Sequence, residues 1–492
     1  MAYDLLVLNG TVVTPEDTRE QDVAVEGEKI VAIAGRGELG HEAAKVIDAA
    51  GCLVIPGGVD PHVHYEMHFD PVVTEGPEFS EASVYGGTTT IVDFAFHEPS
   101  GTVQGSIDAK KADFDGKIAV DYGLHVIMTK GFSYGDVEEI GDVIANGVPT
   151  VKTMMTYGYI SDDGQRWGLM NAVAKAGGMS VVHAEDDAIA NWLTAQYIRE
   201  GKVHGAYICE TRGPIVEEAA VRRAMFLAER AGSPLYVLHM AAGSAVEALA
   251  EGRARGLPFY GETLSTYLSF TQDEMWDDGP VEAGGKVYQG RGLLINNYPT
   301  PKFPADRETC WNALADGRLA AVGTDHAMIS VKDRFETMGT RLDQFVQAGQ
   351  AVIELRVPLL YSLGVHAGRL SVNRWVELSA ANPAKIMGLW PQKGALAVGS
   401  DADIVIFDPD KQWTVKWQDL HMSAEYSLWD GWDLTGKVRD TVLRGSVLVE
   451  NGSYVGSKTS GRFLKRKLLP EVIGGQPDHD FTFQAKPVSA VS

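Results

Sequence analysis

The sequence predicts an α/β fold, a (β/α)8 TIM-like barrel with a small β-sandwich built from both chain ends. Three observations predict it. From Pro56 to about residue 389, apolar strand-length runs alternate with helical stretches and Gly-rich joints, which is the rhythm of a parallel sheet. Eight such runs can be counted, the number that closes a barrel. Short strands with hairpin turn signals occupy residues 1–55 and again about 390–455, so the chain begins and ends in the same kind of structure. An open doubly wound sheet satisfies the strand count equally and stays as the alternative.

At the N-terminal end, Leu5 to Val7 runs into an Asn9-Gly10 turn and Thr11-Val12-Val13 follows. Asp22 to Val25 and Ile30 to Ile33 then flank Glu26-Gly27-Glu28-Lys29, giving a meander of antiparallel hairpins. The expected barrel strands are one ending at His64, then Thr90–Phe94, Tyr122–Met128, Val148–Met154, Met179–His183, Leu235–His239, Phe259–Thr263 and Leu319–Asp325. Val216–Ala231 and Ala241–Gly252 read as helical connections, and Trp375–Ala381 as a helix leading into Asn382-Pro383-Ala384. Ala402–Phe407 ends in an Asp408-Pro409 turn, and Val442–Val449 makes a hairpin near Asn451-Gly452. The expected division is a sandwich of 1–55 plus 390–455, a barrel of 56–389, and an extended tail of 456–492 at subunit contacts. The basic cluster Arg462-Phe463-Leu464-Lys465-Arg466-Lys467 in that tail reads as docking on another subunit or as solvated.

Composition narrows the partners. A formal charge of -23 over 492 residues argues against nucleic acid and against anionic membrane surfaces. No apolar run approaches membrane-spanning length, and Met1-Ala2-Tyr3-Asp4 lacks the basic start of a secretory signal. Cys52, Cys209 and Cys310 have neither metal-type nor disulfide-type spacing, so a cytoplasmic protein is expected.

Chemistry gathers at the strand ends. His62 and His64 are separated by one residue, so in extended backbone both imidazoles face the same way and can grip one cation. Further strands contribute Lys152, His183, His239 and Asp325, each near the C-terminal end, where barrel enzymes build their sites. One strand-end histidine is more often a core residue than a ligand; four with an aspartate, in one repeating pattern, point to a metal centre. Lys152 stands out because an ammonium in an apolar strand is costly to bury. As a neutral amine it can add carbon dioxide, and the resulting carbamate is an anionic, two-oxygen ligand. The competing reading is a lysine snorkelling to the barrel mouth.

These residues sit in stretches that resemble the dihydropyrimidinase/hydantoinase family of the amidohydrolase superfamily. The stretches are Pro56 to His64, Gly86 to Phe94, Lys152 to Tyr157, Val182 to Glu185, Gly323 to His326, Ala381 to Lys385 and Val398 to Val405. The resemblance covers residue 3 to about 466 and implies a binuclear centre of two divalent metal ions, usually zinc. His62, His64 and Asp325 would hold one ion and His183 and His239 the other, with Lys152 carboxylated by CO2 between them. It further implies a homotetramer, and attack of a metal-bridging hydroxide on the C–N bond of a small cyclic amide, imide or ureide. Asp325 would move the proton, and Tyr157 would stabilise the oxyanion.

The ring-gripping positions depart from the family pattern. Tyr298 stands where relatives place a serine, and Ala348 where they place an asparagine that binds the ring. A site that loses such partners changes its substrate preference strongly. Tyr157, Tyr298 and Ala348 are therefore the candidate substrate-contacting residues. A hydrolase of acyclic amides or carbamates, a deaminase of the same superfamily, and a non-catalytic dihydropyrimidinase-related scaffold remain alternatives at this stage.

Overall fold

The computed structural model describes residues 3–69, 71–129, 131–157, 162–344, 346 and 348–474. Eight parallel strands form the barrel: Gly58–Asp60, Thr88–His97, Asp121–Met128, Thr150–Met154, Met179–His183, Leu235–Val237, Phe259–Leu264 and Ala321–Gly323. The ladder runs in sequence order, and a bridge between Val63 and His326 brings the last strand back to the first. Closure decides between the two folds that the strand count had left open.

The barrel strands are buried almost throughout, which is why they read as continuous apolar runs rather than as alternating ones. Four of the helices between them begin on side-chain caps, from Thr102, Ser133, Asp162 and Asp186. Ser133 and Asp162 both form capping boxes, and the helix Pro214–Ala231 starts on proline and stops on Gly232 in the left-handed region, φ 68°.

Three expected strands end early. The first ladder stops at Asp60, the sixth at Val237 and the eighth at Gly323, short of His64, His239 and Asp325. The backbone is the reason in two of them: His239 has φ 37° and Asp325 has φ 50°, and neither conformation continues a ladder. His62, His64, His239 and Asp325 thus stand on short segments just past the strands, while Lys152 and His183 lie within theirs.

The chain ends combine in one ten-stranded sheet. Leu53–Pro56, the last of the N-terminal strands, pairs antiparallel with Ile404–Phe407, and Thr11 and Val12 pair parallel with it on the other side. Leu5, Val7, Val23, Val25, Val54, Ile404, Ile406 and Val442 fill the core it encloses. The Asp408-Pro409 turn does not form. Ile404–Thr414 is one strand that passes 408–412 as an irregularity in its pairing with Asp433–Leu443. Gly57, between the sandwich strand and the first barrel strand, has no room for a side chain: a Cβ there would lie 2.2 Å from Thr89 Oγ1. A buried charge cluster joins the two parts. Lys393 Nζ lies 2.6, 3.0 and 2.9 Å from carboxylates of Asp121, Asp401 and Asp403, and Arg444 also pairs with Asp121.

Within the basic cluster Arg462, Lys465 and Lys467 are exposed, and Arg466 alone departs from the solvated reading. Residues 461–473 lie across the lower end of this chain's own barrel, where Leu464, Leu468 and Val472 pack with Val59, Met179 and Leu389. Arg466 is 2% exposed and donates to Thr150 Oγ1 at 2.7 Å, to Met387 O at 3.1 Å and to Leu124 O. Its partners are neutral acceptors, and burial alone lowers its pKa to about 9. Spacing along the chain could not reveal this, because the acceptors lie 79 to 342 residues away. The rest of the expected tail, 475–492, lies outside the described residues. Arg466→Ala should lower stability by about 3 kcal/mol, since three acceptors lose their donor at roughly 1 kcal/mol or more each. Urea denaturation of the two proteins measures it; a difference under about 0.5 kcal/mol would mean that the acceptors find other partners.

Candidate active site

The C-terminal ends of the strands and the segments just past them converge on one pocket of about 130 Å³. His64, Lys152, His183, His239 and Asp325 line it, with Tyr157, Tyr298 and Ala348, and Met154, Ile127 and Phe96 add apolar wall. His62 lies deeper, fully buried. Its Nε2 is 3.0 Å from Asp325 Oδ1 and 3.1 Å from His64 Nε2, while His64 Nε2 is 3.2 Å from the same Asp325 oxygen. Ligand atoms of His62, His239 and Asp325 fall within 4.8 Å of one another. The rings of His183 and His239 meet edge to face at 4.5 Å. Lys152 Nζ sits 4.3 Å above the Phe94 ring.

Hydrogen bonds show which nitrogens are available. Glu262 Oε1 lies 2.6 Å from His62 Nδ1 and also accepts from His239 N, while its Oε2 accepts from the Tyr236 hydroxyl at 2.8 Å. An ionised carboxylate only accepts, so His62 carries its proton on Nδ1 and turns a lone pair on Nε2 toward Asp325. A lone pair facing a carboxylate 3.0 Å away is repulsive unless a positive charge intervenes. The bare protein resolves this by protonation. Burial pulls His62 down, but Asp325 and Glu262 outweigh it and raise the pKa to about 9. This arrangement is the one a divalent cation satisfies. The other imidazoles are kept neutral, as ligands must be: burial and then Lys152 hold His64 at about 3, and burial with His183 holds His239 well below its usual value. His64 Nδ1 and His239 Nδ1 are buried with no hydrogen-bond partner among the described residues. The residues present therefore fit a metal, and nitrogen with oxygen donors suit zinc and its neighbours.

Asp325 divides its two oxygens. Oδ1 serves the histidines, and Oδ2 accepts from Asn297 Nδ2 at 2.6 Å. Burial works against ionisation, yet His62 and His64 hold the carboxyl well below the usual range. Lys152 moves the other way: burial lowers it to about 8, only partly offset by Asp325 and Glu262.

Tyr157 has φ 65°, and its amide and the Thr156 hydroxyl both donate to Asp187 Oδ1. Its ring meets His183 at 5.3 Å and Tyr298 at 4.8 Å, edge to face in both cases. The Tyr298 hydroxyl donates to Val346 O at 3.0 Å. With its hydroxyl bonded to Val346, Tyr298 adds aromatic surface to the lining, and Ala348 adds only a methyl group.

Four residues here escaped the sequence reading: Glu262, Glu185, Arg212 and Asn297. Glu262 had a signal, an acid at an inward position of the apolar strand Phe259–Leu264. Glu185 follows His183 by two residues and stands 2.9 Å from its Nε2.

The profile of the Amidohydrolase family matches residues 292–448. The D-hydantoinase of Geobacillus stearothermophilus is 35% identical over 466 residues, 94% of this chain and 96% of that protein. The chain belongs to the hydantoinase/dihydropyrimidinase family of amidohydrolases. Solved structures of this family agree with the fold. A D-hydantoinase from a Bacillus species, AR9, superimposes with TM-score 0.88 at 35% identity, over 95% of this chain and all of that one. The dihydropyrimidinase from Brevibacillus agri NCHU1002 gives 0.87 at 34% identity, over 94% and 99%. Amidohydrolases bind divalent metal, which agrees with the donor set above. Among the described residues no helix is long and apolar enough to cross a membrane.

Proposed function

We propose that this protein is a metal-dependent hydrolase that opens a small cyclic amide, imide or ureide at its C–N bond. The observation that supports it most is the division of labour at Asp325, one oxygen toward His62 and His64 and the other toward Asn297 at the pocket. His62, His64 and Asp325 would hold one divalent ion and His183 and His239 the second, with Lys152, as a carbamate, shared between them. Zinc is the ion we favour. Ions bound there supply Lewis acidity and a water acidified toward neutral pH.

The chain's own groups do the rest. Asp325 Oδ2 takes the proton of the attacking water and carries it to the departing ring nitrogen, so one carboxylate serves as base and then as acid. The Tyr157 phenol donates to the carbonyl oxygen as negative charge develops there. Met154, Ile127 and Phe96 keep bulk water away and accept an apolar substituent. A homotetramer in the cytoplasm is the assembly we expect from the family.

Metal analysis with a panel of hydantoins, dihydropyrimidines, cyclic imides, lactams and carbamates tests the reading. About two ions per chain and a ring-opened product are expected. Full turnover in a metal-free preparation, or ammonia release without ring opening, contradicts it. Tyr157→Phe should lower kcat by about 10²–10³, the usual effect of losing one oxyanion donor, with metal content unchanged. A loss below threefold would remove Tyr157 from the reaction.

A further inference from the structure

We propose that Arg212 is a positioning residue that holds His183 and Tyr157 in one arrangement, coupling a metal-side histidine to the oxyanion donor. The inference rests on the roles given to those two residues above. Arg212 follows the short helix Ile208–Thr211 and is 9% exposed. Its Nη1 lies 3.1 Å from Glu185 Oε2, the oxygen that also stands 2.9 Å from His183 Nε2. Both terminal nitrogens donate to Thr156 Oγ1, at 3.2 and 3.1 Å. The guanidinium carbon is 5.1 Å from the centre of the Tyr157 ring and 4.9 Å from that of Tyr298.

Each contact fixes something different. Glu185 is fully buried and, ionised, can only accept, so His183 places its proton on Nε2 and keeps the Nδ1 lone pair for a metal. Without Arg212 that carboxylate would be a buried charge lacking the guanidinium that pairs with it, and it would turn away from His183. On the other side, the bonds to Thr156 and the stacking on the tyrosine face stabilise a left-handed backbone at Tyr157 that a non-glycine residue adopts reluctantly. A lysine could supply the charge but neither the fork of donors nor the flat stacking surface. The Arg212 carbonyl accepts from Lys302 Nζ at 2.6 Å, which ties the same point to the segment carrying Asn297 and Tyr298.

The test uses the full-length protein, stripped of metal and titrated with zinc, and a kinetic series on the best substrate of the cyclic-amide panel. Arg212→Lys should weaken one of two zinc equivalents by about 10–100-fold, the range for losing an outer partner of a ligand. It should lower kcat similarly while KM moves less than about threefold. In a Tyr157→Phe background most of the kcat effect should disappear, because the group being positioned is gone. Unchanged zinc affinities, or a kcat loss that adds fully to that of Tyr157→Phe, would overturn the proposal. Should Arg212→Lys not fold, Glu185→Gln replaces it and should weaken zinc equally; retention of both affinities is again the refuting result. A wild-type protein that binds two zinc ions yet opens no ring sinks the substrate reading alone, since the zinc titrations still decide the role of Arg212.

Discussion

Lys152→Ala should lose its metal and its turnover together: fewer than one ion per chain and a fall in kcat/KM of at least ~10³-fold. Removing an outer partner of a ligand usually costs 10–100-fold, and a ligand shared by two ions should exceed that range. The variant leaves a hole above Phe94 rather than a buried charge, so folding should survive, and circular dichroism with metal analysis separates loss of metal from loss of structure. Two ions retained by Lys152→Ala would mean that no bridging carbamate is needed. The environment of Lys152 adds a pH dependence. Only the neutral amine reacts with carbon dioxide, and burial has brought its pKa down to about 8. Below that value the neutral fraction falls roughly tenfold per pH unit, and above it the fraction saturates. Zinc loading of stripped protein at fixed dissolved CO2 should therefore quicken from pH 6 to 8 and level off beyond. A rate flat across that interval would show that Lys152 is not the group being modified.

Asp325→Asn is expected to be nearly as damaging, with kcat lower by about 10³–10⁴-fold. General acid–base catalysis contributes up to ~10⁴, and here one carboxylate performs both transfers. The amide keeps the shape, but it has one accepting oxygen where the carboxylate has two, so it cannot serve the histidines and accept from Asn297 at once. Asparagine also removes the anion that His62 and His64 share at 3.0 and 3.2 Å, so one metal equivalent should weaken as well. Steady-state kinetics on metal-replete protein checks it; turnover within tenfold of wild type would assign the proton transfer elsewhere.

Much of this was legible in the sequence because the informative residues are local. Two histidines one apart, a lysine inside an apolar strand and an Asp-His pair after Gly323-Thr324 each announce themselves within a few positions. The barrel was legible for the same reason, through eight apolar runs separated by helix-length intervals. What could not be read is pairing over distance. Glu262 acts on His62 from 200 positions away, and Asn297 reaches Asp325 across 28. A lone glutamate or asparagine carries no periodic signal that names its partner. Strand ends were misjudged where His239 and Asp325 leave extended geometry, since polarity predicts a position and not a φ angle. Arg466 was misread for a related reason: a basic cluster looks solvated until the fold brings neutral acceptors around one member of it.

The antiparallel pairing of Leu53–Pro56 with Ile404–Phe407 has a consequence for the order of events during synthesis. The N-terminal strands leave the ribosome first, yet the neighbour that completes their sheet is translated ~350 residues later, a wait of roughly 20–70 s at 5–20 residues per second. Throughout that interval the edge of Leu53–Pro56 is an unsatisfied template, able to pair with any passing strand. Nascent chains stalled before residue 404 should accordingly be the species that chaperones retain, and release should coincide with the emergence of Ile404–Thr414.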